Sequence, residues 1–461
     1  MDASRNKAEI RAPAVATAVA AAVATAVAKF AAQLRARLPE NATLWVGLSG
    51  GRDSVVLLHL ARQLLPERVR ALHVHHGLSP HADAWAAFCE QLCREWDIPC
   101  TLKKVEVPRH DGQGVEAAAR HARYQAFRES AAEYLALAHH RRDQAETLLF
   151  NLCRGAGVVG AAAMPPQRQI GNPTLLRPLL DVGADAIAAY ATAEQLRWVE
   201  DESNADPRYS RNFLRHQILP ELKTRFPAAE TTLARAASHF AEAQELLDDL
   251  AAQDDKAIAG QLAPHLPPLL ALSPARQANW LRYWLKQQNW HTPETAALRE
   301  ALRQLATLTE KPDRHFTLKL PEGELRLWQN RLYCVPHIAP LTQRAWDGKT
   351  PCKWADGWLT LEPCPGAGLS AVLVAGKTFT LRPRQGGEQI VPQANRPHRP
   401  LKKLLQENRI PPWQRERLPL IFVDDELVAV PDVAVAAKWQ CQTGQAGVQV
   451  SYQKTGEIQK S

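Results

Sequence analysis

The stretch Leu44-Trp45-Val46-Gly47-Leu48-Ser49-Gly50-Gly51-Arg52-Asp53-Ser54 runs from a short apolar strand through a glycine turn into a helix. The helix carries an apolar stripe from Ser54 to Leu65. Two adjacent glycines permit unusual dihedrals and a close approach of the backbone to a ligand. A helix that opens directly after such a turn presents unpaired N–H groups, which favour an anion. Ser49 and Ser54 add hydroxyl donors. Ser49, Gly50, Gly51, Arg52, Asp53 and Ser54 therefore read as a cradle for phosphate or pyrophosphate at the carboxyl end of a strand. No Gly-Lys-Ser/Thr follows, so this is not the P-loop pattern, and the glycine spacing is not the dinucleotide pattern either.

Outward from this loop, strand-like runs recur at Val69–His75, Leu102–Val107 and Leu135–His139, with a further one at Leu175–Leu180. Helical patterns lie between them at Ala82–Trp96, Val115–Glu133 and Asp143–Cys153. Such alternation predicts an α/β domain built on a parallel sheet, over residues 41–220. Past Pro220 the chain turns Ala/Glu/Leu-rich and helical, then alternates from Phe316 to Val335, so 221–362 reads as a mainly helical middle domain. The Pro/Gly-rich Pro363–Gly368 reads as a linker, and 369–461 as a small α+β domain with a helix at Pro400–Asn408. Residues 1–40 read as an Ala-rich N-terminal extension. Its Ala14–Ala28 run is too short and too Ala-rich to span a membrane, although a basic start and Ala26-Val27-Ala28 formally mimic a cleavable signal.

Composition narrows the class. Of 461 residues, 46% are hydrophobic and 23% charged, which excludes a wholly disordered chain. The formal charge of +8 permits a polyanionic partner. Nine Lys/Arg against three acids place +6 of it between Arg382 and Arg417, where Arg384, Lys402 and Lys403 suit phosphate contact with structured RNA, with Trp413 and His398 interleaved. Eight cysteines in so long a chain are no disulfide framework and fit a reducing compartment. No Cys-x-x-Cys pair occurs, and Cys89 and Cys93 read as buried apolar thiols.

His139, Asp143 and Glu146 stand at i, i+4 and i+7, one face of a predicted helix that starts where a strand ends. Two carboxylates and an imidazole there can bind Mg²⁺, hold an ammonium or accept a proton; His140 is the weaker candidate. Asp53 falls in a helix first turn, where its charge suits the dipole. Arg120 and Arg123 lie one turn apart and can reach one anion together. His73, His75 and His76 lack cysteines at zinc-ligand spacing; the latter two end a strand beside the loop and suit adenosine contact.

The loop resembles the pyrophosphatase loop of the PP-loop enzymes, which cleave ATP between the α and β phosphates and adenylate a substrate oxygen. Within that group the chain resembles the bacterial tRNA(Ile)-lysidine synthetase family. The matching pieces are His73 to Leu78, Ala119-Arg120-His121-Ala122-Arg123-Tyr124, and Ala138-His139-His140 leading to Asp143, Glu146 and Thr147. Further matches are Arg154-Gly155-Ala156-Gly157, the stretch from Asp201 through Arg211-Asn212 to Pro220, Arg384-Gln385-Gly386-Gly387-Glu388, and Lys402-Lys403-Leu404. The resemblance covers about residues 40–460. It implies a Rossmann-like PP-loop domain, a helical middle domain and an α+β tRNA-binding C-terminal domain. It also implies an ATP-dependent cytoplasmic ligase that joins L-lysine to the wobble cytidine of the CAU-anticodon tRNA(Ile) through an adenylated cytidine, releasing AMP and pyrophosphate. ATP and Mg²⁺ are the implied cofactors; Asp53, Arg120, His139, Asp143 and Glu146 the implied catalytic residues; Asp53 and Asp143 the metal ligands. A PP-loop tRNA thiolase or other adenylating ligase remains an alternative, against which the missing cysteine pairs argue. A tRNA-binding protein with a vestigial ATP site is another, against which the intact loop argues.

Overall fold

The computed structural model describes residues 20–454 apart from 22, 108–114, 203–207, 209, 261–262, 309–315 and 395–396. The chain divides into two compact units, Met1–Leu247 and Asp248–Ser461.

In the first unit a helix over 23–35 (α1) precedes β1 (Leu44–Gly47), α2 (Arg52–Leu64), β2 (Val69–His75), α3 (Ala82–Glu95) and β3 (Cys100–Lys104). Then come α4 (Val115–Arg128), β4 (Tyr134–Ala136), α5 (Arg141–Cys153), α6 (Val158–Ala161), β5 (Gln167–Gln169), β6 (Thr174–Leu176) and α7 (Ala184–Ala193). The unit closes with α8 (Ser210–Phe213), a π-helical turn at Leu214–Ile218, α9 (Leu219–Arg225) and α10 (Ala229–Ile258), within which the division between units falls. The sheet order is β3-β2-β1-β4-β6-β5, parallel throughout except that β5 runs antiparallel to β6. A parallel sheet covered on both faces needs apolar strands; Leu44, Val46, Ala71, Leu72, Leu135, Ala136, Leu175 and Leu176 are all buried. Chain order reverses direction across the sheet between β1 and β4. The loops that leave those two strands therefore flank the crevice where open α/β sheets bind ligands.

The N-terminal extension expected from composition is corrected for its described part. Ala26, Phe30, Leu34 and Leu38 recur at helical spacing and join the core cluster of Leu44, Val55, Leu58 and Tyr190. Residues 14–19 and 22 of the Ala-rich run lie outside the described residues. Among the described residues no helix is long and apolar enough to cross a membrane.

The second unit has a helical core with stacked Trp280 and Trp284 (ring centroids 5.6 Å apart) over a hairpin sheet of Thr317–Leu320, Gly323–Trp328 and Arg331–Pro336. Antiparallel sheets of five and four strands follow. The expected linker is a turn instead. Gly357–Pro363 and Leu369–Ser370 both pair with Gly447–Lys454 in one sheet, so Pro363–Gly368 joins two strands of the same element. The helix Leu401–Glu407 buries Leu401, Leu404 and Leu405.

Phe30 is 0% exposed. Phe30→Ala is expected to destabilise the protein by about 3–5 kcal/mol, measured by denaturant titration. A loss under ~1 kcal/mol would mean α1 is no part of the core.

Candidate active site

The loop after β1 is shaped before any ligand arrives. Gly50 has φ +88°, and a Cβ there would stand 2.9 Å from Val199 Cγ2 and 3.2 Å from Cys89 Sγ, so both dihedral and space require glycine. The Val199 N–H donates to the Gly50 carbonyl at 3.0 Å. Ser54 Oγ donates to the Gly51 carbonyl at 2.8 Å and accepts from the Ser49 N–H at 3.2 Å. The Gly51 N–H donates to Ser49 Oγ at 3.3 Å. The serine hydroxyls thus brace the turn that leads into the α2 N-terminus, where first-turn N–H groups lack intrahelical acceptors.

A line of alternating charges runs from that helix into the domain. Asp53 meets Arg52 Nε at 3.1 Å and His140 Nε2 at 3.4 Å. His140 Nδ1 lies 3.6 Å from Asp143, whose Oδ2 accepts the His140 backbone N–H at 2.9 Å. Arg215 then donates to Asp143 Oδ1 at 3.0 Å and takes both Glu146 oxygens, at 2.7 and 2.8 Å. Burial pushes the Asp53 carboxyl up, but the hydrogen bond and charge of His140, with Arg52 beside it, outweigh that and bring it down to about 2. Burial lowers His140, yet Asp143 and Asp53 outweigh it, so the imidazolium is held above the ordinary value. Glu146 is 1% exposed, and its burial raises it against the pull of Arg215.

A cavity of about 950 Å³ opens on this line. Ser49, Gly51, Arg52, Asp53, Ser54, Arg120, His139 and Asp143 all line it, and Arg123, Tyr124, Trp85 and Arg215 join them. Glu146 does not line it; its carboxylate is spent on Arg215. The single helix face expected for His139, Asp143 and Glu146 is corrected: α5 begins at Arg141, so His139 precedes the helix in the segment after β4. His139 still reaches the cavity. Burial, helped by Arg177, Arg120 and Arg123 and opposed by Asp143, pushes it down to about 3, so its imidazole is neutral at physiological pH. His73 Nδ1 bonds the Leu48 carbonyl at 2.8 Å, and burial lowers it; it props the strand end.

Two residues carry more than the sequence pattern suggested. His140 is the hinge of the charge line. Arg215 stands out only because two carboxylates near a buried position demand a cation, and the chain between Asp201 and Pro220 supplies it. The thiols are as expected: Cys89 and Cys93 are buried in the core, and burial pushes Cys89 up to about 12. Among the described residues no group of three His, Cys, Asp or Glu side chains is arranged to hold a metal.

In the second unit Lys402 and Lys403 are exposed side by side. Several other cations of that block have intramolecular partners: Arg382 pairs with Asp425, Arg399 with Glu407, Arg417 with Asp356, and Arg384 lies 3.5 Å from Glu388. Arg396 lies outside the described residues. Trp413, expected on the RNA-facing surface, is a core residue instead, 5.2 Å from the Tyr333 ring and under Arg326.

The imidazolium of His140 stabilises the fold fully below the ordinary histidine value of about 6.5, and that contribution is lost as pH rises through the raised folded-state value. Asp53→Asn removes one of its two anionic neighbours, so the His140 ring should titrate at lower pH. Proton NMR of the ring across pH 5–9 measures this, and an unmoved midpoint would break the link.

The model of the PP-loop domain family matches residues 20–222, that of the TilS substrate binding domain 265–333, and that of the TilS substrate C-terminal domain 379–452. The chain is 39% identical over 429 residues to the tRNA(Ile)-lysidine synthase of Nitrosomonas europaea, covering 91% of this chain and 93% of that one. It is 42% identical over 417 residues to the enzyme of the same name from Azoarcus sp., covering 88% and 90%. With that of Chromobacterium violaceum it shares 43% over 406 residues, covering 85% and 91%. With such identity across most of both chains, the protein belongs to the tRNA(Ile)-lysidine synthase family.

Proposed function

We propose that this protein uses ATP to form lysidine on tRNA(Ile), and that the reaction takes place in the crevice between the β1 and β4 loops. The observation that carries the reading is the braced Ser49–Ser54 turn opening on the same cavity as Asp53, Asp143 and Arg215. That cavity offers a pyrophosphate cradle, carboxylates and cations at once, which a ligation of an amino acid through a nucleotide leaving group needs.

The chemistry explains the ATP. A cytosine carbonyl oxygen is a poor leaving group. When the wobble cytidine O2 attacks the α-phosphorus, a P–O bond forms there, the bond to the β-phosphate breaks and pyrophosphate leaves onto the loop. The lysine ε-amine then attacks C2, and AMP departs with the oxygen. Free lysine has a side-chain pKa of about 10.4, so its ammonium must lose a proton first. Asp143, the cavity-facing carboxylate of the charge line, is the acceptor this reading assigns. Lysine itself carries both signs, and the cavity-lining pair Asp143 and Arg215 matches it, with Arg215 for the carboxylate and Asp143 for the ammonium. Arg120 and Arg123 suit phosphate, and the neutral His139 suits hydrogen bonding to a base rather than charge pairing.

Asp53 and Asp143 are oxygen donors of the kind a hard cation takes, and a cation bound by both would compete with the His140 imidazolium that now lies between them. Mg²⁺ held there would neutralise charge on the leaving pyrophosphate. The CAU anticodon, the cytoplasmic setting and a division into catalytic, middle and C-terminal tRNA-binding domains belong to the same reading. Arg384, Lys402 and Lys403 are its tRNA contacts.

Incubation with ATP, lysine and a tRNA(Ile) transcript, followed by nucleoside mass spectrometry, should show lysidine; its absence from an enzyme of native melting behaviour would overturn the reading. Asp53→Ala is expected to abolish AMP release in a protein that still folds, with a melting temperature lowered because His140 loses one of its two anionic neighbours. Wild-type turnover in that variant would remove Asp53 from the chemistry.

Lys402→Ala with Lys403→Ala should raise the Michaelis constant for tRNA and leave the saturated rate unchanged. It should also flatten the salt dependence of binding by about one to two units of log–log slope. Titrations at several salt concentrations measure it, and an unchanged slope would take both lysines out of the interface.

A further inference from the structure

Arg177, immediately after β6, is 3% exposed. One guanidinium nitrogen donates to the Pro165 carbonyl at 2.7 Å, and its backbone N–H donates to Pro166 at 2.9 Å. Its Nε is buried with no hydrogen-bond partner. Among the described residues no carboxylate pairs with it; burial lowers it, the Tyr124 phenol opposes that, and Arg168 and Arg120, of its own sign, add to the lowering. A cation taken out of water without a counter-charge is costly. A loop staple to Pro165 needs only a neutral donor, so the charge calls for another reason.

Arg177 faces the Tyr124 phenol, a residue of the cavity wall. Arg120 approaches the same phenol, with a nitrogen 3.5 Å from the hydroxyl and the guanidinium carbon 5.1 Å from the ring centre. Guanidinium groups only donate, whereas a phenol oxygen accepts and also carries one hydrogen. With guanidinium groups donating to its oxygen, the phenol's own hydrogen is available to another acceptor, and the residue lines the cavity.

We propose that Arg177 is a positioning residue for adenylation: together with Arg120 it sets Tyr124 to donate a hydrogen bond to an α-phosphoryl oxygen of the nucleotide. The proposal rests on the ATP reading given above. In the step itself cytidine O2 bonds to the α-phosphorus and pyrophosphate leaves with the electrons of the broken bond. Tyr124 keeps its proton throughout and stabilises charge on the phosphoryl oxygens as they are displaced.

The test uses the full chain with tRNA(Ile) and ATP, without lysine, and follows adenylated tRNA in a single turnover. Arg177→Gln keeps a donor for Pro165 and removes the charge. It should melt at or above the wild-type temperature, leave the Michaelis constant for tRNA in place and slow adenylation by roughly 10–100-fold. Arg177→Lys should recover much of that rate. Tyr124→Phe should be slowed alike, and the Tyr124→Phe, Arg177→Gln double variant should be no slower than Tyr124→Phe alone. A lowered melting temperature with an unchanged rate would make Arg177 a loop staple and overturn the proposal. So would fully additive losses in the double variant. If wild-type enzyme released no pyrophosphate with tRNA(Ile), the ATP reading would fall, and the proposal with it, before any variant was compared.

Discussion

The line Asp53–His140–Asp143–Arg215–Glu146 is the constraint on which the rest of the site depends. It ties the first turn of α2, the start of α5 and the π-helical turn into one object. No member is well placed alone. Glu146 is buried where an ionised carboxyl needs a partner, and His140 is buried where an imidazolium needs anions. Removing any link leaves a neighbour charged and dry, and that is costlier than never having buried the pair. The line therefore fixes where three segments must meet, and the crevice inherits its shape from them.

Sheet topology decides where the line falls. The order β3-β2-β1-β4-β6-β5 leaves β1 and β4 adjacent but with connections departing to opposite sides. The Ser49–Ser54 turn and the His139–His140 segment leave those two strands, so they face each other with no further device. Arg120 and Arg123 on α4 line the same cavity, and Arg177 is buried nearby without lining it. On the proposed reading, a phosphate chain bound there would meet the N–H groups of the loop and the guanidinium groups of α4.

Much of this was legible from local pattern. The strand, the two glycines and the helix start were read correctly as a strand–turn–helix, and Asp53 in the helix first turn, Arg120 one turn from Arg123, and Asp143 near a strand end all fall on the one cavity. What was not legible depends on distance along the chain. Arg215 stands 69 and 72 residues from its carboxylates, and nothing in its own neighbourhood marks it. His140 looked like a strand-end polar residue because its two partners approach from different segments. Trp413 sits in a short basic helix, Pro412–Arg417, whose composition suggests a surface, yet its ring is in the core. The Ala-rich start hid a buried face because alanine gives a helix little contrast between its sides; only Phe30, Leu34 and Leu38 reveal it.

The π-helical turn at Leu214–Ile218 has a meaning for how this segment tolerates change. A π-turn is one residue more than an α-helix needs for the same advance, a bulge kept within a helical path. Asn212 before it, Leu214 at its start and Leu219 after it are buried, while Arg215 and His216 within it line the cavity. In an α-helix each residue turns the side chain by about 100°, so taking one residue out would straighten the path and rotate everything on one side of it. A single deletion here would leave the backbone helical and the composition intact, yet swing Arg215 off its carboxylates. The segment is thus protected by its length, to the residue, more than by the identity of most side chains in it.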